Sequence, residues 1–256
     1  MVGHPFRDSV VILLAAASAA LLLRAFVLEA YRIPSRSMDP GLRAGDFLLV
    51  NKLPFGNKIA GVRIPPFRSP ERGEVVVFRL VDERDGEEQV LVKRCLAVSG
   101  DSVAVVEGSV WVNGVRADIP EYGVASRPPA PALAHIEKSW NLPRSGETVP
   151  LQSSTLAQWK SMIAREGHAV DCDPSGDVTI DGQVCTAYRF TRNYCFVAGD
   201  NRPDSYDSRY WGPIAEDGIV GKAILVYWSW DEERASESIV DRISSIRWGR
   251  IGKLVH

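Results

Sequence analysis

Three short stretches of the chain carry side chains suited to nucleophilic chemistry. The first reads IPSRSMDP over residues 33–40 and holds two serines, Ser35 and Ser37, between prolines that restrict the backbone. A serine hydroxyl becomes a nucleophile when a base lies beside it. No histidine lies near a glycine-rich or serine-rich motif and no GxSxG turn is present, so a histidine-assisted hydrolase is not indicated.

A lysine is the alternative base, and the second stretch, LVKRCLAV, offers Lys93. An ordinary lysine has a pKa near ~10.4, so it must be buried among apolar groups to be neutral near pH 7. In a strand, Lys93 shares one face with Leu91, Cys95 and Ala97, while Arg94 points to the other face. That pattern favours a desolvated amine. Most strand lysines instead lean into water along a sheet edge, and composition alone leaves this interpretation open.

The third stretch, GDNRPDSYDSRYWGPI, covers residues 199–214. Its composition is typical of a polar surface loop, in which Asp207 and Arg209 would form an exposed ion pair of little energetic value. The same residues also supply what a lysine base requires, namely a hydroxyl to orient the amine and an ion pair to fix the loop.

Short strands must position these stretches. Runs of β-branched residues bounded by glycine, proline or aspartate predict strands at 48–51, 74–80, 89–98 and 102–106. Asn113-Gly114 and Asp181-Gly182 predict two hairpin turns. A helix is predicted near 154–166, with Leu156, Trp159 and Ile163 on one face and Gly167 at its end, and the segment RPPAPA at 127–132 predicts a loop.

An apolar run near the N-terminus predicts a membrane anchor. Residues 9–23 carry no charge, and continuing to Leu28 gives twenty positions with one charge, Arg24, about the ~20 residues that a spanning helix needs. The alternatives are a cleaved secretory signal and a buried core helix. A cleavable signal needs small residues at −3 and −1, but Leu23-Arg24-Ala25 and Leu28-Glu29-Ala30 both have leucine at −3, which disfavours cleavage. Arg7 is offset by Asp8, so charge hardly favours either orientation.

Composition excludes some classes of function. The 256 residues are 45% hydrophobic with a formal net charge of −2, so a nucleic-acid partner has no electrostatic basis. The four cysteines form no CxxC pair and the four histidines are scattered, so a zinc site is not indicated. Cys172 and Cys185 flank a short loop and hairpin. They could form a disulfide that closes this loop, or they could be two free thiols. A disulfide would place the domain outside the cytoplasm.

Together the three stretches resemble the type I signal peptidase family, which comprises membrane-anchored Ser-Lys proteases. Four segments of this chain are similar to sequence boxes of the family. The family's anchor exit and nucleophile box corresponds here to RAFVLEAYRIPSRSMDPGLRAGDFLLVNK, and its next strand box to RGEVVVF. Its lysine box corresponds to VKRCLAVSGD and its last box to GDNRPDSYDSRYWG. These boxes follow the family's order between about residues 24 and 228. The segments VWVNG and SIRWGRIGKLV are similar as well, whereas residues 120–190 do not align.

The resemblance implies a mainly β fold, with an N-terminal transmembrane helix, a signal-peptidase-type catalytic domain and an additional β-rich subdomain. The expected division is a cytoplasmic tail at 1–8, an anchor at 9–28, catalytic core at 29–106 and 196–256, and an inserted subdomain at 107–195. The implied location is the bacterial inner membrane, with the catalytic domain on its outer, periplasmic face.

The resemblance also implies the residue roles. Ser37 would be the nucleophile, Lys93 the general base, and Ser35 with the backbone N–H of Ser37 the oxyanion hole. Ser205 would orient the lysine, while Asp207, Arg209 and Arg94 would brace the structure. The small side chains at −1 and −3 of the substrate would meet Ile33, Pro34, Met38, Leu42, Leu91 and Val92. The partners would be signal-peptide-bearing preproteins and the lipid bilayer, without metal or organic cofactor.

The chain departs from the family pattern at a few positions. Arg36 stands where the family usually has glycine, and we expect it to narrow the range of accepted signal peptides. Gly41, Ser99 and the pair Pro203-Asp204 are further departures. Three rival interpretations stay open: a soluble self-cleaving Ser-Lys repressor, a peptidase dedicated to one secretion, pilus or conjugation substrate, and an inactive membrane-tethered binding protein.

Overall fold

The protein is built mainly from β-strands, in a computed structural model that describes residues 5–59, 62–81, 86–117, 138–231 and 238–256. The helices are α1 Pro5–Phe26, α2 Leu156–Arg165, α3 Ser208–Trp211 and α4 Ile239–Ser244. The strands in chain order are β1 Leu28–Arg32, β2 Asp46–Asn51, β3 Asn57–Ile59, β4 Val62–Ile64, β5 Val75–Val81, β6 Glu88–Ala97, β7 Ser102–Val106, β8 Ser109–Val112, β9 Val115–Arg116, β10 Lys138–Asn141, β11 Thr148–Pro150, β12 Val170–Cys172, β13 Val178–Ile180, β14 Gln183–Val184, β15 Ala187–Arg189, β16 Tyr194–Ala198, β17 Ile214–Ala215 and β18 Ile219–Ser229. The expected loop at 127–132 and residues 1–4 of the expected tail lie outside the described residues.

The expected strands, turns and helix are confirmed. Strands β2, β5, β6 and β7 match the four predicted runs to within two residues. Asn113 and Asp181 both have a φ of 51°, and the glycines that follow them have φ of 78° and 80°. Both central residues of each turn therefore take the left-handed conformation of a type I′ hairpin. Helix α2 buries Leu156, Trp159 and Ile163 as its spacing predicts.

A seven-stranded sheet carries the nucleophile and lysine segments, in the order β1-β2-β18-β5-β6-β16-β17. Its central strand β5 is buried on both faces. Val75 and Val77 join a hydrophobic cluster on one side, whereas Val76, Phe78 and Leu80 join a cluster on the other. Because alternate side chains of a strand point to opposite faces, a continuous apolar run is the pattern that such a strand needs.

A second group of elements packs around its own hydrophobic cluster. It comprises the sheet β10-β7-β8-β9, the pair β11-β15, the sheet β12-β13-β14 and helix α2. Trp140 and Trp159 are buried there, with their rings against Phe196 and Phe190 respectively. Helix α2 is joined to the large sheet by Tyr194 of β16, whose hydroxyl donates to the carbonyl of Met162 over 2.9 Å.

The disulfide considered for Cys172 and Cys185 is not formed, and all four cysteines are free thiols. The reason is the strand order. Cys172 pairs with Val178 from β12, while the N–H of Cys185 donates to the carbonyl of Val178 from the other side. Strand β13 lies between them, so two strand spacings, about 9.5 Å, separate positions that a disulfide must hold within about 7 Å.

Helix α1 leads directly into the sheet. The Nζ of Lys52 donates to the carbonyl of Arg24 and its backbone N–H donates to the carbonyl of Val27, both over 2.8 Å. These bonds fix the helix end against β2 and set the direction of β1, which runs on to the nucleophile segment. Among the residues that the structure describes, no helix is both long and apolar enough to cross a bilayer.

Candidate active site

The segment that carries Ser35 and Ser37 is held between β1 and β2. The N–H of Ile33 donates to the carbonyl of Asp46 over 2.8 Å, and the N–H of Gly45 donates to the carbonyl of Ile33 over 2.9 Å. Met38 and Leu42 anchor the segment in the hydrophobic cluster beneath it. From the opposite loop, the N–H of Asn201 donates to the carbonyl of Ser37 over 3.0 Å. The backbone of Ser37 is therefore fixed from both sides.

Lys93 and Ser37 meet at the centre of the site. Lys93 extends from β6, and its Nζ donates to the Oγ of Ser37 over 2.6 Å. The exposed fractions are 4% for Lys93 and 9% for Ser37, so the contact is almost fully shielded from water. The Oγ atoms of Ser35 and Ser37 lie 3.3 Å apart, with either able to donate. The three side chains that the sequence singles out are thus brought together.

Burial lowers the pKa of Lys93 from 10.5 to about 8, because the charged ammonium loses its hydration. The negative charge of Asp207 opposes this shift, while the positive charge of Arg209 adds to it. About a tenth of the amine is then neutral at pH 7, against less than a thousandth for an ordinary lysine. The arrangement can accept a proton from a serine hydroxyl near neutral pH.

Asp207 organises the loop beside the lysine. Its carboxylate accepts hydrogen bonds from the Oγ of Ser205 over 2.7 Å and from the N–H of Gly199 over 3.0 Å. Arg209 donates to the same carboxylate through Nε over 2.8 Å and through Nη2 over 2.9 Å, and both side chains are buried. The expected ion pair is present, and it is an interior one rather than an exposed one. The hydroxyl of Ser205 lies at the cavity with Lys93 and is oriented by Asp207.

Arg94 points away from Lys93, as the strand alternation predicts. Its guanidinium makes two hydrogen bonds to the carboxylate of Asp200, over 2.8 and 2.7 Å, and both residues are buried. Parallel bonds of this kind have a fixed geometry as well as charge assistance. They join β6 to the start of the 199–214 loop, so the lysine strand and the loop keep one relative position.

A cavity of about 540 Å³ opens onto the two serines and the lysine. Its wall is formed by Ser35, Ser37, Leu80, Val81, Gln89, Leu91, Lys93, Arg165, Pro203, Asp204, Ser205, Tyr206, Tyr210 and Trp211. Of the six residues expected to meet the substrate, Leu91 is in this wall. Ile33, Met38, Leu42 and Val92 pack in the cluster beneath the nucleophile segment, and Pro34 is exposed.

Arg36 does not occupy the place expected of it. Its side chain is 67% exposed and lies 4.0 Å from the carboxylate of Asp39. Its carbonyl accepts a hydrogen bond from the Nδ2 of Asn201 over 3.1 Å, so the backbone here contributes to the loop contact. The side chain therefore lies in solvent rather than in the cavity wall, and this position gives no support to the expected narrowing of substrate range.

Sequence reasoning missed several residues of the site. Gly199, Asp200 and Asn201 belong to the last family box, but no role was assigned to them. Arg94 is buried in the structure, and a buried guanidinium needs an acidic partner, which is Asp200. Tyr206, Tyr210 and Arg165 also line the cavity. Arg165 lies in the region without resemblance to the family, so the motifs gave no signal for it.

A serine hydroxyl within hydrogen-bond distance of a buried amine, at the base of an open cavity, fits the class of serine hydrolases. The family model of signal peptidases, peptidase S26, matches residues 6–228. The signal peptidase I of Pseudomonas aeruginosa is 31% identical over 84% of this chain and 70% of its own length. That of Aquifex aeolicus is 30% identical over 87% of this chain and 84% of its own length. The chain therefore belongs to the signal peptidase family, peptidase S26, and is a serine endopeptidase of that family.

A solved structure of a signal peptidase I from Enterococcus faecalis is also similar, at 19% identity. It covers 60% of this chain and 96% of its own, with a TM-score of 0.33. At that score the likeness has no bearing on the fold described above.

Proposed function

We propose that this protein removes N-terminal signal peptides from exported proteins, with Ser37 as nucleophile and Lys93 as general base. The observation that carries the proposal is the 2.6 Å contact between the lysine Nζ and the serine Oγ. Burial favours the neutral form of that amine, and a neutral amine in hydrogen-bond contact is what a serine needs to lose its proton.

The reaction starts with neutral Lys93, which takes the proton of Ser37 as the Oγ attacks the scissile carbonyl. The negative oxygen that forms is stabilised by the hydroxyl of Ser35 and the backbone N–H of Ser37. When the C–N bond breaks, the Lys93 ammonium returns the proton to the leaving amine. The neutral lysine then deprotonates a water molecule, which hydrolyses the ester on Ser37 and regenerates the hydroxyl.

Cleavage after small-x-small sites is proposed from the family resemblance. In an extended substrate, the side chains at −1 and −3 face the same way. The proposed subsites are the apolar residues around the nucleophile segment and β6, namely Ile33, Pro34, Met38, Leu42, Leu91 and Val92. Of these six residues, Leu91 lines the cavity beside Ser37 and Lys93, which supports its proposed contact with a substrate side chain. Ile33, Met38, Leu42 and Val92 pack beneath the nucleophile segment, so their proposed part is to set the position of its backbone.

We propose that the expected anchor at 9–28 holds the protein in the inner membrane through its part in α1, which ends at Phe26 before Leu28 begins β1, with the catalytic domain on the outer face. The side chains of Val10, Val11, Ile12, Leu13 and Leu14 are between 38% and 68% exposed along α1. Consecutive exposed apolar side chains are costly in water and stable in lipid. The divisions at 29–106, 107–195 and 196–256 are part of the same proposal. Extraction of cell membranes at alkaline pH tests the anchor, because an integral protein stays in the pellet.

The test of the activity uses the full-length protein in detergent with a preprotein whose signal ends in Ala-x-Ala. We expect one cleavage, after the second alanine, and covalent labelling of Ser37 by a β-lactam-type acylating inhibitor. Ser37→Ala and Lys93→Ala should each abolish cleavage, while Ser244→Ala, at an exposed serine of α4, should not. Labelling elsewhere, or turnover by Ser37→Ala near the wild-type rate, would refute the proposed dyad.

A further inference from the structure

We propose that Tyr206, Tyr210 and Trp211, termed here the aromatic wall, bind an apolar or aromatic side chain of the substrate just after the scissile bond. The inference rests on the proposed function, since it assigns a subsite of the same cavity. It adds a preference on the mature side of the cleavage site to the small-residue preference expected at −1 and −3.

The aromatic wall is a cluster of rings that line the catalytic cavity. The ring of Tyr206 lies 4.9 Å from that of Tyr210 and 4.7 Å from that of Trp211, measured between centroids. All three residues line the cavity with Ser37 and Lys93. Tyr206 is 42% and Tyr210 37% exposed, so their apolar surface is available to a ligand. Clustered aromatic side chains with exposed faces are typical of binding sites, because rings give large contact area at low entropic cost.

The aromatic wall is also held rigidly. Asp207 accepts from the N–H of Arg209 at the start of α3, the short helix that contains Tyr210 and Trp211. The Nη2 of Arg165, at the end of α2, donates to the carbonyl of Trp211 over 2.9 Å. The ring of Trp211 packs against the cluster on the lysine side of the large sheet. A wall fixed in this way needs little reorganisation to bind a side chain.

The position of Lys93 decides which part of the substrate meets the aromatic wall. Ser35 and Lys93 both contact the hydroxyl of Ser37, and they have different tasks. Ser35 stabilises the oxyanion, whereas the Lys93 ammonium must return its proton to the leaving amine, so the leaving chain passes on the lysine side of Ser37. The charges that act on Lys93 include those of Asp204, Asp207 and Arg209. These belong to the loop that carries the aromatic wall.

The test compares substrates that share one signal peptide and differ only after the scissile bond, with Ala, Leu or Phe at the first and second positions. At one of these positions we expect kcat/KM of the wild type to be about five- to tenfold higher for Phe than for Ala, the scale of one aromatic contact. All the substrates leave the same acyl-enzyme on Ser37. The deacylation rate should therefore be independent of the residue varied.

The Tyr206→Ala and Tyr206→Ala/Tyr210→Ala variants should bring the Phe-to-Ala ratio of kcat/KM towards one. Tyr206→Phe should keep the ratio, because it retains the ring. Tyr227→Ala is the matched control, at a 40% exposed tyrosine of β18 that is not part of the cavity wall, and should also keep it. An unchanged ratio in the active double variant overturns the subsite alone. If the wild type cleaves none of these substrates, the proposed function is overturned together with the subsite.

Discussion

The Nζ of Lys93 lies 2.6 Å from the Oγ of Ser37, at a position where 4% of the lysine surface meets solvent. Two consequences come from the same burial. The amine loses hydration, which favours its neutral form, and it is held within hydrogen-bond distance of the hydroxyl it would deprotonate. A lysine at the surface would have neither property.

The first prediction concerns the pH dependence of cleavage. Lys93 acts as a base only when neutral, and its pKa is lowered to about 8. We therefore expect kcat/KM to rise about tenfold per pH unit below this value and to level off above it. Initial rates measured from pH 6 to pH 10 at low substrate concentration would show the inflection. An inflection near ~10, the ordinary lysine value, would contradict the assignment of Lys93 as the base.

The second prediction is that Lys93→Met inactivates the enzyme and stabilises its fold. The native pKa of about 8 lies below the unfolded value of 10.5, so the unfolded state binds more protons between these values. Below pH 8 Lys93 is protonated in both states, and burying its ammonium lowers the free energy of unfolding by the full amount, about 3 kcal/mol. Methionine carries no charge and removes this cost, so the free energy of unfolding of Lys93→Met at pH 6 should exceed that of the wild type by up to about 3 kcal/mol. The difference between the two proteins should shrink as the pH rises towards 10.5.

Urea unfolding of the full-length protein in detergent at pH 6 and pH 10 measures this effect. Lys160→Met is the matched control, because Lys160 is exposed on α2, and its effect should stay within about 0.5 kcal/mol at both pH values. A loss of stability in Lys93→Met at pH 6 would mean that the ammonium is better solvated in the fold than its burial indicates.

The third prediction concerns Ser35, whose Oγ lies 3.3 Å from that of Ser37. If its hydroxyl donates to the oxyanion, Ser35→Ala should lower kcat by about 10²–10³ with little change in KM. Ser35→Thr retains a hydroxyl and should recover part of the rate. A steady-state comparison of the two variants on one preprotein is the measurement. Equal activity of Ser35→Ala and wild type would leave the backbone N–H of Ser37 as the principal donor.

The sequence predicts those features that depend on local pattern. Lys93 and Arg94 point to opposite faces because alternation is a property of a single strand, and the turns at Asn113 and Asp181 follow from their own dipeptides. The position of Ser37 beside Lys93 was accessible through the family resemblance, since spacing along the chain does not bring residues of two separate segments together.

The remaining features depend on contacts between distant segments. Asn201 donates hydrogen bonds to the carbonyls of Ser37 and Arg36, which lie more than 160 residues earlier in the chain. No local pattern predicts these two contacts. Cys172 and Cys185 are close in sequence, yet the order of strands separates them. Arg36 adjoins both serines in sequence but its side chain turns into solvent. Each case is decided by tertiary packing, which a single sequence does not specify.

The fourth prediction is that Arg209→Met destabilises the fold strongly. Arg209 is buried against Asp207, and removing it leaves a carboxylate without its compensating charge. We expect a loss of about 3–5 kcal/mol in the free energy of unfolding, with loss of activity as the loop beside Lys93 reorganises. Arg79→Met is the control, since Arg79 and Glu88 form an exposed pair worth about 0–1 kcal/mol. Similar effects of the two substitutions on urea unfolding would contradict this account.

The fifth prediction concerns Gly199, where the loop lies against the nucleophile segment. A Cβ added there would overlap the side chain of Ser205 and the backbone carbonyl of Ser37. The carbonyl cannot yield easily, because it accepts the N–H of Asn201 and its segment is anchored by the buried Met38. Gly199→Ala should therefore displace Ser37 from Lys93 and lower kcat/KM by about 10²-fold, the effect expected of a misplacement near 1 Å.

Gly249→Ala provides the comparison, because a Cβ at Gly249 meets no atom within 4 Å. It should leave both kcat/KM and the unfolding midpoint close to wild type. The informative readout for Gly199→Ala is acylation of Ser37 in the folded enzyme, followed by mass spectrometry of the intact protein. Slow acylation at a near-native unfolding midpoint would show that the close approach of this loop sets the position of the nucleophile. Normal acylation would mean that the nucleophile segment keeps its geometry without that contact.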